Sequence, residues 1–417
     1  MPRLDNGSLW VGKIWTYHRS RLLGGAIALM SAAALPRLVY EFTRLLWLSA
    51  PSGAIDLKLR YQEVHFWFSG EPVYSQLNSA VYPPASYAML LPFLGYSSLT
   101  VAKWIWALTS IVALIWLTNL LINQTQTKKV IERILVVMTP LAMYATGITI
   151  GNGQLTIHIL VSLVAGLTLM CQRKTGWGKD LLASLLIVVA LVKPTLAVPF
   201  FWIVLFVPGR VRPTLMVGLG YVALAWLAAA FQESDIFSLH HDWLAHGIKA
   251  AAWSSAGGGA GSSDGGLGDD IGYGDLHSLM GTLGLSEWNF PVSILVLLTL
   301  GCWVYWHRCV DLWLLVGVVA IVARVWTYHR VYDDMLILLP MVTLFRIAKQ
   351  DAKSDTDRVV SGMLFAIALI ASLVPASLRL LPSPWDLFFK AGQTTLWMVM
   401  LIFLLVQAQH EKQAQVS

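Results

Sequence analysis

The sequence predicts an all-α polytopic membrane protein: a single bundle of about twelve transmembrane helices. Three observations carry this reading. Of 417 residues, 57% are hydrophobic and only 12% are charged, about half the charged fraction of a soluble domain. Apolar runs approaching the roughly 20 helical residues needed to cross a hydrocarbon core recur along the whole chain. The basic residues gather in short connections between those runs, the bias by which Lys and Arg mark cytoplasmic loops. The formal charge of +6 comes largely from those loops. It does not read as a nucleic-acid footprint, and no RNA- or DNA-binding module signature is present.

Residues 1–21 form a cytoplasmic N-terminal segment holding Arg3, Lys13, Arg19 and Arg21. The run after it is long and lacks a small-residue cleavage signature, so it reads as an uncleaved first span over 22–40. A polar outer loop follows at about 41–84. Pro83-Pro84 suits the first turn of a new helix, where a missing N–H costs little. The run 85–97 is too short to cross and reads as interfacial or re-entrant. Span 2 is expected at 99–122, span 3 at 131–150 and span 4 at 154–171. Between the last two, Gly151-Asn152-Gly153-Gln154 reads as a tight outer turn. The segment 180–207 is flanked by Lys179 and by Arg210 and Arg212. Both ends inside requires two short crossings that turn outside at Lys193-Pro194. Span 7 covers 214–231, and a second polar outer loop covers 232–290. Spans 8 to 10 fall at 291–307, 311–326 and 335–346, and spans 11 and 12 at 359–379 and 387–408. Residues 409–417 are a cytoplasmic tail. Residues 22–408 thus form one transmembrane domain with both termini inside.

Four polar clusters fall on the outer side, and they supply the candidate site. Asp56 is followed one helical turn on by Arg60 and by the aromatics Tyr61, Phe66, Trp67 and Phe68. A carboxylate among aromatics at a membrane surface is partly desolvated, which strengthens it as a base. Lys193 stands inside an apolar run, where an ammonium costs about 2.5–3.5 kcal/mol on insertion scales. At that point it suits a phosphate. His329 and Arg330 close the outer end of span 9 as a cationic wall, and histidine can hydrogen-bond a phosphate oxygen near neutral pH. Asn152 and Gln154 are candidates for sugar hydroxyls. Asp269-Asp270 and Asp333-Asp334 are adjacent acidic pairs. Adjacency alone is a weak metal signal, and no metal or other cofactor is predicted. The Gly-rich segment 256–275 follows no strand and lacks a Gly-Lys-Ser/Thr ending, so it is not a phosphate-cradling loop. Cys171, Cys302 and Cys309 lie in or beside apolar runs and read as small hydrophobes, not a disulfide set.

An early Asp in the first outer loop is followed by Gly70-Glu71-Pro72-Val73-Tyr74, then by Tyr82-Pro83-Pro84 before a short apolar helix. Further on come Gly153-Gln154 opening a span, Lys193-Pro194 in apolar sequence, and His329 after an aromatic at the end of a late span. This succession resembles the polyprenol-phosphate-mannose-dependent α-mannosyltransferases, glycosyltransferase family 87 of the GT-C superfamily, over roughly residues 40–345. The resemblance implies a GT-C-like bundle with a helical first outer loop. It implies a multi-pass cell-membrane enzyme that moves a sugar, often mannose, from a polyprenyl phosphate to a glycolipid or glycan acceptor outside the cytoplasm. Asp56 would be the catalytic base, and Lys193 and His329, with Arg330, Arg60 and Tyr82 around them, would bind substrate. The rival class is a flippase or other transporter of a lipid-linked sugar. A transporter needs polar residues along a path through the bundle and inverted halves. Here the polar groups gather on one side.

Overall fold

The computed structural model describes residues 5–48, 52–172, 176–255, 274–350 and 353–416. Most of the Gly-rich segment, including Asp269-Asp270, lies outside the described residues. Every regular element among those described is helical. The chain opens with α1 (Asp5–Trp47), α2 (Ile55–Phe68), α3 (Val73–Gln76), α4 (Pro84–Leu94) and α5 (Leu99–Thr125). It continues through α6 (Val130–Ala142), α7 (Tyr144–Asn152), α8 (Thr156–Met170), α9 (Trp177–Ala190), α10 (Pro194–Phe206) and α11 (Val211–Ala229). Then come α12 (Ile236–Ser255), α13 (Leu276–Thr282), α14 (Asn289–Trp306) and α15 (Leu312–Val325). A 3-10 turn at Val331–Ile337 leads into α16 (Leu338–Lys349), followed by α17 (Asp355–Leu373) and α18 (Trp385–Val416).

The helix starts have local causes. Pro84 and Pro194 occupy the first turns of α4 and α10, where no N–H is missed. Ser98, Asp311 and Ser354 accept backbone N–H groups as N-caps of α5, α15 and α17, each removing an orphan donor. Gly153, in the left-handed region at φ 69°, closes α7, as glycine does at helix ends.

Six helices among the described residues are long and apolar enough to cross a membrane: Ser20–Trp47, Leu99–Thr125, Val211–Ala229, Ser286–Trp306, Asp355–Leu373 and Trp385–Gln415. The pair α6–α7, bent by 48°, makes a seventh. Leu108, Ile115, Leu219, Trp226, Leu295, Ile370 and Ile402 are large apolar residues exposed on these helices, as lipid-facing surfaces are. The shorter apolar helices α8, α10 and α15 are instead buried inside the bundle. α8 packs against α5, α9 and α10, and α15 against α10, α16 and α18. At 15, 13 and 14 residues these three helices are apolar but fall short of a crossing by length.

Two boundaries differ from the sequence reading. α1 does not end near residue 40 but continues to Trp47, because Arg37, Glu41 and Arg44 recur on one helical face and pack against α7. Span 3 is not straight, but breaks at Met143 between α6 and α7. The cysteines are free thiols.

Candidate functional site

The site begins at a joint between α1, α2 and α7. Arg37 lies 3.4 Å over the Tyr144 ring, and Glu41 accepts from Arg44 Nη1 at 2.8 Å. A Cβ on Gly147 would strike Arg37, and one on Gly151 would overlap Glu41 Oε2. These glycines let three charged residues lie flat on α7. The Ala54 N–H, just before α2, donates to the Gly151 carbonyl at 3.0 Å. A Cβ on Gly153 would come within 2.5 Å of Leu57 Cβ. The Gly-Asn-Gly stretch is therefore the socket that seats the first turn of α2.

From that seat, α2 turns Asp56, Arg60, Glu63 and Trp67 inward, a spacing of four, three and four that keeps one helical face. All four are buried. Arg60 Nη1 lies 2.6 Å from Glu63 Oε2, and Arg60 Nη2 donates to the Ser79 carbonyl at 2.9 Å. The Ser79 hydroxyl donates to Glu63 Oε1 at 2.9 Å, and the Arg60 guanidinium sits 4.3 Å over the Tyr82 ring. Burial pushes the Glu63 carboxyl up to about 7, against the Arg60 charge and the Ser79 hydrogen bond. Tyr74 OH donates to the Tyr82 carbonyl at 2.8 Å, fixing that ring's strand of chain.

The other half gathers on Asp333. Lys193, ahead of α10, donates to Asp333 Oδ1 at 2.7 Å. Thr156, at the start of α8, donates to the same oxygen at 3.2 Å. His329 Nδ1 is 3.1 Å from Asp333 Oδ2, and the Arg330 N–H donates to that oxygen at 3.4 Å. The His329 N–H donates to Asp275 Oδ2 at 3.4 Å. Burial would raise the Asp333 carboxyl, but the Lys193 charge and the His329 hydrogen bond outweigh it and hold it well below the usual carboxylate range. His329 is fully buried. Burial lowers its basicity, and Asp333 opposes that lowering only in part.

The two halves meet around Tyr332 and Tyr82. Burial raises the Tyr332 hydroxyl, and the Asp56 charge raises it further. Burial works against the Arg330 guanidinium, while Tyr332, Tyr328 and Asp56 outweigh it and hold it above its ordinary value. Tyr82 is raised by burial and feels Arg60, Asp56 and Asp333 together. Lys193 Nζ lies 4.8 Å over the Tyr332 ring. Asp56 and Arg60 on α2 and Lys193, His329 and Arg330 around Asp333 are thus linked by charge through Tyr82 and Tyr332.

Three candidates, Asn152, Gln154 and Lys193, have partners that the sequence does not show. Asn152 Oδ1 already accepts from Arg44 Nη2, so that oxygen braces the α1–α7 joint. Gln154 is buried beside it, its N–H donating to the Thr149 carbonyl at 2.8 Å. Lys193 is not a bare ammonium, because Asp333 supplies its counter-charge. Asp333 and Asp334 turn to different cations, Asp334 accepting from Arg324 Nε at 2.6 Å. No three His, Cys, Asp or Glu side chains come together as a metal would need, among the described residues. Sequence reading missed Glu63, Thr156 and the central place of Asp333. The spacings 56–60–63 and 329–333 would have found Glu63 and Asp333.

On the 3-10 turn's other flank, a narrow, partly open and mostly apolar groove runs between α7, α17 and α18. Tyr144, Val331, Asp334, Ala371, Phe389 and Trp397 are among its walls.

No curated protein and no solved structure matches the chain. Residues 80–345 match the family model of glycosyltransferase family 87. Asp56 and Arg60 stand ahead of the matched stretch, while Tyr82, Lys193, His329, Arg330 and Asp333 stand within it. That stretch spans well over half of the 417 residues, and the chain belongs to glycosyltransferase family 87.

Proposed function

We propose that the protein moves a sugar, mannose first among the candidates, from a polyprenyl phosphate to a glycolipid or glycan acceptor at the non-cytoplasmic face of the membrane. The observation that supports this reading is that the charge of one carboxylate, Asp56, reaches Arg330 and Tyr332 on the turn whose Asp333 pairs with Lys193 and His329. In this reading the chain crosses the bilayer about twelve times, α8, α9, α10 and α15 included, with both termini inside. An isoprenoid chain dissolves in lipid, so its phosphate must be met at the bilayer edge. The groove beside Val331 and Asp334 is narrow but lined mostly by apolar side chains, the surface chemistry an isoprenoid chain would need.

Asp56 then takes the proton of an acceptor hydroxyl as that oxygen attacks the anomeric carbon in line, and configuration inverts. The departing polyprenyl phosphate gains charge, which Arg330, His329 and the Lys193–Asp333 pair are arranged to receive. Arg60 and Tyr82 form the wall beside Asp56 and would orient the acceptor. The test is purified protein incubated with a panel of polyprenyl-phosphate sugars and a membrane glycolipid extract. Product mass identifies donor and acceptor, and NMR of the new linkage reports the configuration. Transfer only from nucleotide sugars, or retention of configuration, would overturn the reading.

A further inference from the structure

His329 is held by its Nδ1 alone. Asp333 Oδ2 stands 3.1 Å away, and an ionised carboxylate only accepts, so the Nδ1 carries hydrogen. In the neutral ring Nε2 is then a bare acceptor, and it is buried with no hydrogen-bond partner among the described residues. The groups facing this imidazole come from every neighbouring element. They are Asp333 on its own turn, Asp275 and His277 at the start of α13, Arg324 on α15, and Lys193 ahead of α10. Burial and the two cations disfavour a second proton on the ring. A phosphate oxygen is itself an acceptor, and two acceptors cannot bond. Contact between Nε2 and a phosphate therefore requires a proton that the neutral ring does not hold there.

We propose that seating the donor's phosphate makes His329 take up one proton at Nε2, with Asp333 as the positioning residue that fixes the ring and carries its charge. The proposal rests on the donor reading given above. The proton comes from solvent on binding and leaves again with the product. During transfer the bond from C1 to the phosphate oxygen breaks and its electron pair stays on the phosphate. The acceptor oxygen bonds to C1, and the acceptor's proton passes to Asp56. The Nε2 hydrogen remains on His329, bonded to the phosphate whose charge has grown. Lys193, already matched by Asp333, adds no net charge of its own. The imidazolium is then the charge that appears only when the ligand does.

The probe is farnesyl phosphate, titrated calorimetrically into the full chain in detergent. At pH 8 this monoester is a dianion, its second pKa being about 6. Buffers of different ionisation enthalpy count the protons exchanged. The expected result is uptake of about one proton per ligand bound, with affinity falling up to about tenfold per pH unit above neutrality. His329→Gln, which keeps a neutral donor, should bind without proton uptake. Asp333→Asn should lose most of the uptake, and Asp333→Glu should restore part of it. A merely structural Asp333 would weaken binding and leave the proton count unchanged. Should the Asp333 variants not fold, the count on the unaltered protein decides alone. Binding that is flat with pH and takes up no proton overturns the proposal and leaves the donor reading standing. No binding of farnesyl phosphate overturns both.

Discussion

Glu63→Gln should remove a pH dependence from the protein's stability. Glu63 is fully buried on the inner face of α2, and burial raises its carboxyl from 4.5 to about 7, more than Arg60 and Ser79 lower it. At about 1.4 kcal/mol per pH unit, ionising it in place costs about 3 kcal/mol. The sign follows from which state ionises first. Below 4.5 the proton is on in both states and the contribution is complete. Between 4.5 and about 7 the unfolded chain loses its proton while the folded one keeps it, so stability falls as pH rises, by about 3 kcal/mol, and then levels. Glutamine matches the protonated acid in charge, so below about pH 7 it leaves Arg60 in the same electrostatic setting as the native residue does. The assay is thermal unfolding in detergent from pH 4.5 to 8, read as the difference between the two proteins. An equal fall in both would refute the reasoning.

Three further outcomes are expected. Asp56→Asn should cut turnover by about 10²–10⁴, the usual worth of a general base, while farnesyl phosphate affinity stays near normal; near-normal turnover would remove Asp56 from that role. Lys193→Met should cost about 3–5 kcal/mol by stranding Asp333 in the interior, and adding Asp333→Asn should recover much of it; additive losses in the thermal assay would mean the two do not act as a pair. Gly153→Ala should destabilise by about 2 kcal/mol or more, since a side chain is strained at φ 69° and would press on Leu57; an unchanged unfolding temperature would count against the socket.

Helix positions were legible because lipid leaves so few alternatives: a backbone in hydrocarbon must bond to itself, and prolines and glycines marked some of the ends. The lengths of α1 and the bend at Met143 were not legible, since both depend on which helix lies alongside. Charge on a single outer side pointed to Asp56, Lys193 and His329. It could not reveal that one carboxylate, Asp333, satisfies two of the three, because Lys193 and Asp333 are 140 residues apart. Asn152, a candidate sugar ligand, has a partner hidden for the same reason. Its partner, Arg44, reads in sequence as the flank of a first span.

The glycine socket changes how loss of activity should be interpreted. Gly151 and Gly153 touch no reacting group, yet they set where the first turn of α2 rests, and Asp56 rides on that turn. A bulkier residue at either position would shift Asp56, the base we propose, without touching sugar or phosphate. On that proposal the enzyme would hold its substrates well and transfer slowly, and affinity measured beside rate would separate a misplaced Asp56 from a damaged binding pocket. The family match begins at residue 80. The half of the joint that carries Asp56 therefore lies ahead of the matched stretch, and the glycines that receive it lie within it.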